Sequence, residues 1–425
     1  MSQPAYLSPI DTRSLSAAAL ATLARGRDIY IWGGAFVGGG VWKALTRNGL
    51  AAAGFLDSSP RFHGRKLRGL NVFKPDEILG RPGARQSVFI ITASGHWEGQ
   101  LQEGCRRAGL IEGEDFISFN DLTPIQPAVE ISGLCNLRCQ GCPRGNMDEH
   151  PPAGFMSAET YTEVLNKLLR EIPLLGSVQL YTWGEPLLNP AIYEILAESR
   201  RRDVLTVIST NLNFSIDLAR LVEAGPGLMR LSASGCGADY EKTHTGGHWE
   251  RFEANFWSLA KEMAASKADF EVELYYHLYR HNQGRDFQRL KDMAAEAGFT
   301  FRPILGCLYP WDNIEKIITG QGLSEAALRH LELIGADLPA IIDEAAQNPL
   351  SEPCTQVRCF PIDWDLRLLG CGGWYLPRLD VNFLETPLAE MVKAKMESEL
   401  CRRCAARGIH RVNFPFMADQ AAIGS

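Results

Sequence analysis

The stretch VEISGLCNLRCQGCPRG, residues 129–145, decides how the chain reads, because Cys135, Cys139 and Cys142 stand three and two residues apart behind a short β-branched run that ends near Ser132. Three soft thiolates on one tight loop suit an iron-sulfur cluster or zinc, and three ligands leave a coordination position open. An open position points to chemistry unless a distant residue fills it. The competing reading is a structural zinc completed by a residue such as His150.

One strand later comes SVQLYTWGEPLLNP, residues 177–190, with Trp183, Gly184, Glu185 and Pro186 at the strand end. The C-x3-C-x2-C loop, with Asn136 after its first cysteine, resembles the cluster loop of the radical S-adenosylmethionine superfamily, and WGEP resembles that family's "GGE" element. Two motifs in the right order are far more specific than either alone. The resemblance implies a 4Fe-4S cluster on Cys135, Cys139 and Cys142, with S-adenosyl-L-methionine chelating the fourth iron. It implies that the Glu185 carboxylate and nearby carbonyls of Trp183 and Gly184 accept from the cofactor's ammonium, Gly184 letting the backbone come close. Reductive cleavage of the sulfonium would give a 5′-deoxyadenosyl radical that removes hydrogen from an unactivated carbon, with a flavodoxin or ferredoxin-type protein as electron donor.

Around these motifs the chain alternates strand and helix, as a partial (β/α)6 barrel requires. The strands expected are Ala128 to Ser132, Ser177 to Thr182, Val204 to Ser209, Met229 to Ser232, Phe270 to Leu278 and Thr300 to Leu305. Helices are expected at Ala158 to Glu171, Pro190 to Arg202, Trp249 to Ser266 and Gly284 to Ala297. Strand three ends in Ser209-Thr210-Asn211, close to the family's "TNG" with Leu212 in place of glycine, and strand four gives LSASGCG, close to its "SxDG". By that resemblance Ser209, Asn211 and Ser232 help hold the cofactor. His244 stands where the family often has an arginine that pairs with the cofactor carboxylate; a neutral imidazole offers one hydrogen bond there.

Strand five is the most informative for substrate. Alternation puts Val272, Leu274, Tyr276 and Leu278 on one face and Glu271, Glu273, Tyr275 and His277 on the other. A strand interior this polar suits a wet active site, which makes Glu273, Tyr275 and His277 candidate substrate contacts; bonding to one another is the competing reading.

Upstream, RDIYIWGG, AAAGFLD, VFIITAS and DFISF read as strands of a small parallel sheet, with helices over VGGGVWKALTRNG and HWEGQLQEGCRRAG. The turn Gly33 to Gly38 is a dinucleotide fingerprint with Ala35 at the second glycine, and Asp57 ends the next strand where such folds contact a ribose hydroxyl. Two readings stay open: a nucleotide site, or a degenerate Rossmann-like unit used for recognition or dimerisation. The unit also resembles the amino-terminal part of sugar-modifying enzymes of surface-polysaccharide pathways, with Gly69 to Pro75 matching their "G-x-x-V-x-x-P" turn.

Downstream, a helical connector from Ser324 to Glu344 leads to Cys354, Cys359, Cys371, Cys401 and Cys404. The set resembles the shortened "twitch" relative of the SPASM domain, which implies one auxiliary 4Fe-4S cluster on Cys354, Cys371, Cys401 and Cys404, with Cys359 as spare or alternative. The family's Asp-Gly turn before the third ligand is Asp365-Leu366 here.

The whole reading is an α/β chain in three parts: a Rossmann-like domain over residues 1–123, a radical core over 124–310 and an auxiliary cluster domain over 311–425. The resemblance covers about 300 of the 425 residues. A net charge of −7 gives no basic surplus for nucleic acid, and no apolar run approaches a membrane span. Eight of the eleven cysteines fall in two groups rather than a disulfide framework, so a cytoplasmic protein is expected. Cys105, Cys236 and Cys307 stand alone; as a hydrogen donor to a substrate radical, only Cys236 and Cys307 lie near strand ends. Expected function is dehydrogenation or epimerisation of a sugar, cyclitol or nucleotide-linked metabolite. A peptide-modifying enzyme and a non-catalytic zinc scaffold are the alternatives.

Overall fold

A computed structural model describes residues 14–59, 62–81, 83–93, 96–347, 349, 354 and 356–412, the side chain of His96 excepted. Pro353, which precedes the first cysteine of the downstream set, lies outside them. Among the described residues the strands form two sheets.

The first sheet holds β1 (Asp28–Trp32), β2 (Gly54–Leu56), β3 (Lys66–Leu67), β4 (Leu70–Phe73), β5 (Ser87–Ile91) and β6 (Phe116–Ser118), in the order β3-β4-β2-β1-β5-β6. All its pairings are parallel except the edge pair β3 and β4. Strand alternation divides its core in two. Ile29, Ile31, Val88 and Ile90 pack with Leu20, Val41 and Leu45 of helices 17–24 and 36–47, while Tyr30, Trp32, Phe89 and Ile91 pack with Ile78 and Cys105 of helices 75–79 and 96–107. Helices on both faces make the sheet doubly wound, and its strands read as near-continuous apolar runs for that reason.

The second sheet begins with β7 (Gln126–Val129), β8 (Ser177–Gln179), β9 (Leu205–Thr210), β10 (Leu228–Ser232), β11 (Glu271–Leu278) and β12 (Thr300–Leu305), paired in sequence order and all parallel. On the far side of β7 it continues through β13 (Cys359–Ile362), β14 (Arg367–Leu369) and β15 (Arg378–Asn382). Thus β7 lies between the half-barrel and the downstream cysteine segment, with Cys359 opposite Gln126 and Ile362 opposite Val129. Met229, Leu231, Val272, Leu274 and Tyr276 face outward into one core with the helix residues Tyr161, Leu165, Phe252 and Phe256. Each such fully buried side chain contributes about 1.5–3 kcal/mol. The alternate residues Ser209, Arg230, Ser232, Glu273, Tyr275 and His277 face the lumen, because laterally paired residues in a parallel sheet share a face.

Three expectations shift. Strand β7 starts at Gln126, inside the expected linker, and stops at Val129 because the Ile131 carbonyl is taken by Met156 N and Asn189 Nδ2. Strand β8 stops at Gln179 rather than Thr182, because the N–H groups of Thr182, Trp183 and Gly184 all turn to the Glu130 carboxylate. The connector is two helices, Glu325–Leu333 and Leu338–Gln347, with Ile334 extended between them.

The two sheets meet where the helix 36–47 approaches the turn before β8. Arg47 donates to the carbonyls of Pro173, Leu175 and Asp203 at 2.7–3.0 Å, and a Cβ on Gly176 would stand 2.4 Å from the Gly40 carbonyl carbon. Backbone cannot yield as a flexible side chain does, so Gly176→Ala should lower the thermal midpoint by an amount equivalent to about 1–3 kcal/mol. Gly322→Ala, which meets nothing within 4 Å, should leave it unchanged. Equal midpoints for both variants would contradict the packing described.

Candidate metal and cofactor site

The cysteine loop is held from every side by hydrogen bonds that its own sequence supplies. Arg138 N donates to Thr245 O at 2.9 Å, Asn146 Nδ2 to the carbonyls of Gln140 and Tyr309 at 2.8 Å, and Asn136 Nδ2 to Asn213 O at 3.2 Å. Glycine is required at two loop positions by contact. A Cβ on Gly145 would stand 2.3 Å from the carbonyl oxygens of Arg138 and Cys139, and one on Gly141 would meet the His330 ring at 2.6 Å. His330 is anchored in turn by Nε2 against Cys307 O at 3.1 Å.

Cys135, Cys139 and Cys142 are half-exposed at the C-terminal mouth of the half-barrel. Burial of the sulfur atoms raises their pKa values, to about 12 for Cys135 and about 11 for Cys142, and Cys135 and Cys139 are pushed further by neighbouring thiols. Crowded, desolvated thiolates of this kind need a cationic centre. Among the described residues no group of three His, Cys, Asp or Glu side chains is gathered closely enough to hold a metal ion. His150, the sequence candidate for such a site, directs Nδ1 to the Tyr375 hydroxyl at 3.1 Å.

Beside the loop, Glu130 Oε2 collects the N–H groups of Thr182, Trp183 and Gly184, and a Cβ on Gly184 would lie only 1.8 Å from Ser132 O. Glu130 Oε1, Thr182 Oγ1 and Trp183 Nε1 are buried at this strand end without a hydrogen-bond partner. Unpaired buried polar atoms are costly, so three together mark a place where a polar ligand fits. Burial pushes the Glu130 carboxyl up to about 7. Its role escaped the sequence reading, although it stands in the quoted stretch five residues before Cys135.

Two assigned side chains are bonded to protein groups. The Glu185 carboxylate is 2% exposed and its oxygens accept from Leu187 N at 3.2 Å and Asn211 N at 2.8 Å, tying WGEP to the end of β9. His244 is likewise turned inward, stacked on Tyr240 at 4.3 Å with Nδ1 on Thr243 Oγ1 at 2.9 Å.

Other assigned residues are brought together. Asn211 Nδ2 donates to Asn136 Oδ1 at 2.9 Å, beside Cys135 Sγ at 3.8 Å. Ser209 and Ser232 face each other across β9 and β10 with their hydroxyl oxygens 3.4 Å apart. On the same lumen face Tyr275 lies under the Arg230 guanidinium, Glu273 is ion-paired with Arg230 and Arg302, and His277 Nδ1 meets Ser234 Oγ at 3.4 Å. Of the lone cysteines, Cys105 and Cys236 are buried in the two helix-layer cores, while Cys307 follows β12 beside the His330 contact.

The downstream cysteines form a second site. Cys354, Cys371, Cys401 and Cys404 line one cavity with Trp311, Trp374 and Lys395, whereas Cys359 lies outside it against Gly372. Lys395 is 2% exposed and donates to Gln356 O at 2.9 Å and to Cys359 O. The Asp365-Leu366 turn is made with Leu366 at φ 71°, so the left-handed residue of the family's Asp-Gly turn is present with a leucine in it. In the first unit, the Asp57 carboxylate accepts from Gly34 N at 2.7 Å and from Ser59 N at 2.8 Å. That places an anion on the very turn that would receive a phosphate, against the ribose role expected for Asp57.

Fold and site together define a class: a parallel α/β half-barrel with a three-cysteine loop at its C-terminal mouth and a glycine-bearing strand end beside it. No family model matches the chain. Over 184 residues it is 28% identical to the AdoMet-dependent heme synthase of Methanosarcina barkeri (strain Fusaro / DSM 804), covering 41% of this chain and 49% of that protein. Over 95 residues it is 32% identical to human (Homo sapiens) Molybdenum cofactor biosynthesis protein 1, covering 22% of this chain and 14% of that protein. The matched span is therefore about half the length of the first relative and far less of the second. The crystal structure of Streptococcus suis SuiB bound to S-adenosylmethionine superposes with a TM-score of 0.44 at 13% identity, covering 74% of each chain. In its motifs and in these sequence relatives the chain is similar to enzymes of the radical S-adenosylmethionine superfamily. No described helix is long and apolar enough to cross a membrane.

Burial holds His277 down to about 4 and His244 to about 3, far below the usual imidazole value near 6.5. Between pH 6.5 and 5 the unfolded chain takes up protons that these folded imidazoles do not, so stability should fall on acidification, by up to about 2 kcal/mol per imidazole. Urea midpoints at the two pH values should therefore differ less for His277→Gln than for the unaltered chain; an equal difference would overturn the assignment.

Proposed function

We propose that the chain is a radical enzyme that removes a hydrogen atom from an unactivated carbon of a sugar, cyclitol or nucleotide-linked small molecule, leading to dehydrogenation or epimerisation. The observation that carries this reading is the three-cysteine loop set over a polar lumen, beside partnerless Glu130 Oε1, Thr182 Oγ1 and Trp183 Nε1. Cys135, Cys139 and Cys142 would hold a 4Fe-4S cluster, and the backbone of Trp183 and Gly184, fixed by Glu130, would receive the ammonium of S-adenosyl-L-methionine. When bound, that pair supplies one-electron cleavage of the sulfonium and hence hydrogen-atom abstraction. Ser209, Ser232 and Asn211 orient the cofactor from the next two strands.

Cys354, Cys371, Cys401 and Cys404 would hold the auxiliary cluster of a twitch-type domain. Four thiolates leave no iron open, which favours electron transfer over substrate ligation, and removal of an electron from a substrate radical completes an oxidation. For epimerisation, Cys307 is better placed than Cys236, whose side chain is packed in the helix layer. Its buried thiol is held up at about 12, so the sulfur keeps the hydrogen that a donor must give. A flavodoxin or ferredoxin-type donor would supply the first electron, and the parallel-sheet unit fits the small-molecule reading better than a leader-peptide grip.

Iron and sulfide analysis of anaerobically reconstituted protein tests the reading. About eight irons per chain are expected, falling to about four in a Cys135/Cys139/Cys142 triple alanine variant that no longer releases 5′-deoxyadenosine. Stoichiometric zinc with no visible charge-transfer absorption, and failed reconstitution, would leave the scaffold alternative. In the auxiliary site, Cys354→Ala should lose about four irons and Cys359→Ala none; the reverse would exchange their roles.

A further inference from the structure

The lumen wall carries two guanidiniums with one carboxylate between them. Arg230 of β10 pairs in register with Ser209 and Glu273, and Arg302 of β12 pairs with Tyr275, so all three charged side chains project from the lumen face. Glu273, whose side chain is 6% exposed, accepts from Arg230 Nε through one oxygen at 3.0 Å and from Arg302 Nε through the other at 2.7 Å. Arg230 is fixed further by Nη1 on the Tyr181 hydroxyl at 2.9 Å and by its position over the Tyr275 ring. Among the described residues no acceptor is recorded for Arg230 Nη2 or for either Nη of Arg302. Arg302 is also half-exposed and stands on the edge strand of the sheet, where the half-barrel is open.

An ion pair that served only to close the barrel wall would be complete with Arg230. A second arginine on the same carboxylate adds like-charge repulsion and leaves net positive charge on a partly desolvated wall, where an anion is held more strongly than in water. Guanidinium forks match the oxygens of phosphoryl and carboxylate groups. We propose that Arg230 and Arg302 form the seat for an anionic group of the substrate, a phosphoryl or carboxylate, held on the lumen wall level with Ser209 and Ser232 while the reacting carbon reaches toward the cysteine loop. This rests on the function proposed above and narrows its substrate class to acidic molecules. Glu273 is then a positioning residue that splays the two guanidiniums, and uncharged sugars are poor substrates.

The test is calorimetric titration of the anaerobically reconstituted 425-residue chain, its iron content and S-adenosylmethionine cleavage already verified, with inorganic phosphate and separately with succinate. At least one probe should bind, and Arg302→Gln should weaken it by about tenfold or more, with Arg302→Lys in between. Glu273→Gln should instead tighten binding by freeing both forks, a change of opposite sign that a merely structural network would not give. Preference for phosphate assigns a phosphoryl group to the seat, and preference for succinate a carboxylate; either supports it. No binding of either probe by iron-loaded, cleavage-competent protein, or binding indifferent to Arg302→Gln, overturns it. Protein without iron or cleavage would instead overturn the proposed function, so the two failures are told apart. Arg302 is half-exposed and its loss leaves Glu273 paired with Arg230, so that variant should fold normally.

Discussion

One buried carboxylate organises the mouth of the half-barrel. Glu130 takes the three successive N–H groups of Thr182, Trp183 and Gly184 on a single oxygen. Without that acceptor these donors would pair with β9 and continue β8 as an ordinary strand. With it, the backbone leaves the sheet after Gln179, brings Gly184 against Ser132, and lets Glu185 N reach Leu134 O at 2.8 Å, beside the first cysteine. The Glu185 carboxylate then extends the tie to β9 through Asn211 N. The relation between cysteine loop and strand end thus depends on two adjacent buried acids. Burial brings both to about 7, and Glu130 raises Glu185 as well, so ionising both at once is disfavoured.

The same crowding explains why cations reach the site mainly from its rim. Arg144 lies over the Tyr375 ring and offsets part of the rise that burial gives the Cys142 thiol, and Arg138 is bound back to the carbonyls of Cys135 and Leu137. In the downstream cavity the cation is internal instead. Burial raises the pKa values of Cys354, Cys359 and Cys371, and Lys395, buried among them, offsets part of that rise. A half-open site can be neutralised by whatever ligand enters it, whereas an enclosed one must carry its own compensating charge.

Much of this was legible in the sequence where periodicity and motif agree. The alternation in residues 271–278 separates the observed lumen face from the helix face, and the ends of β12 and of helices 158–171 and 249–266 fall where pattern and caps put them. Strand ends near the site were misread because hydrophobic patterning does not register a side chain that captures backbone donors, as Glu130 does. The partners of Glu185 and His244 were not legible, because motif position fixes where a backbone lies and not where a side chain turns. Arg230 and Arg302 were missed because β-strand residues 72 positions apart in sequence share a carboxylate only once β10, β11 and β12 are paired.

The two leucines that replace glycines show how far such turns are set by their surroundings. Leu212 and Leu366 adopt φ of 51° and 71°, a conformation that costs a side-chain-bearing residue about 1–2 kcal/mol. Neither position is free to relax. Leu212 N is held by Thr210 Oγ1 at 3.0 Å and its carbonyl by Asn255 Nδ2 at 2.9 Å, while Leu366 N bonds Asp363 O and its carbonyl receives Phe383 N. The Leu212 side chain is fully buried in the main core, and Leu366 packs against the same cluster. Burial of an aliphatic side chain is worth about as much as the backbone conformation costs, so leucine can occupy a glycine turn where its side chain points into a core. A glycine at either position would relieve the backbone and lose the packing. The departures from the family's glycine pattern therefore leave the left-handed turns themselves in place.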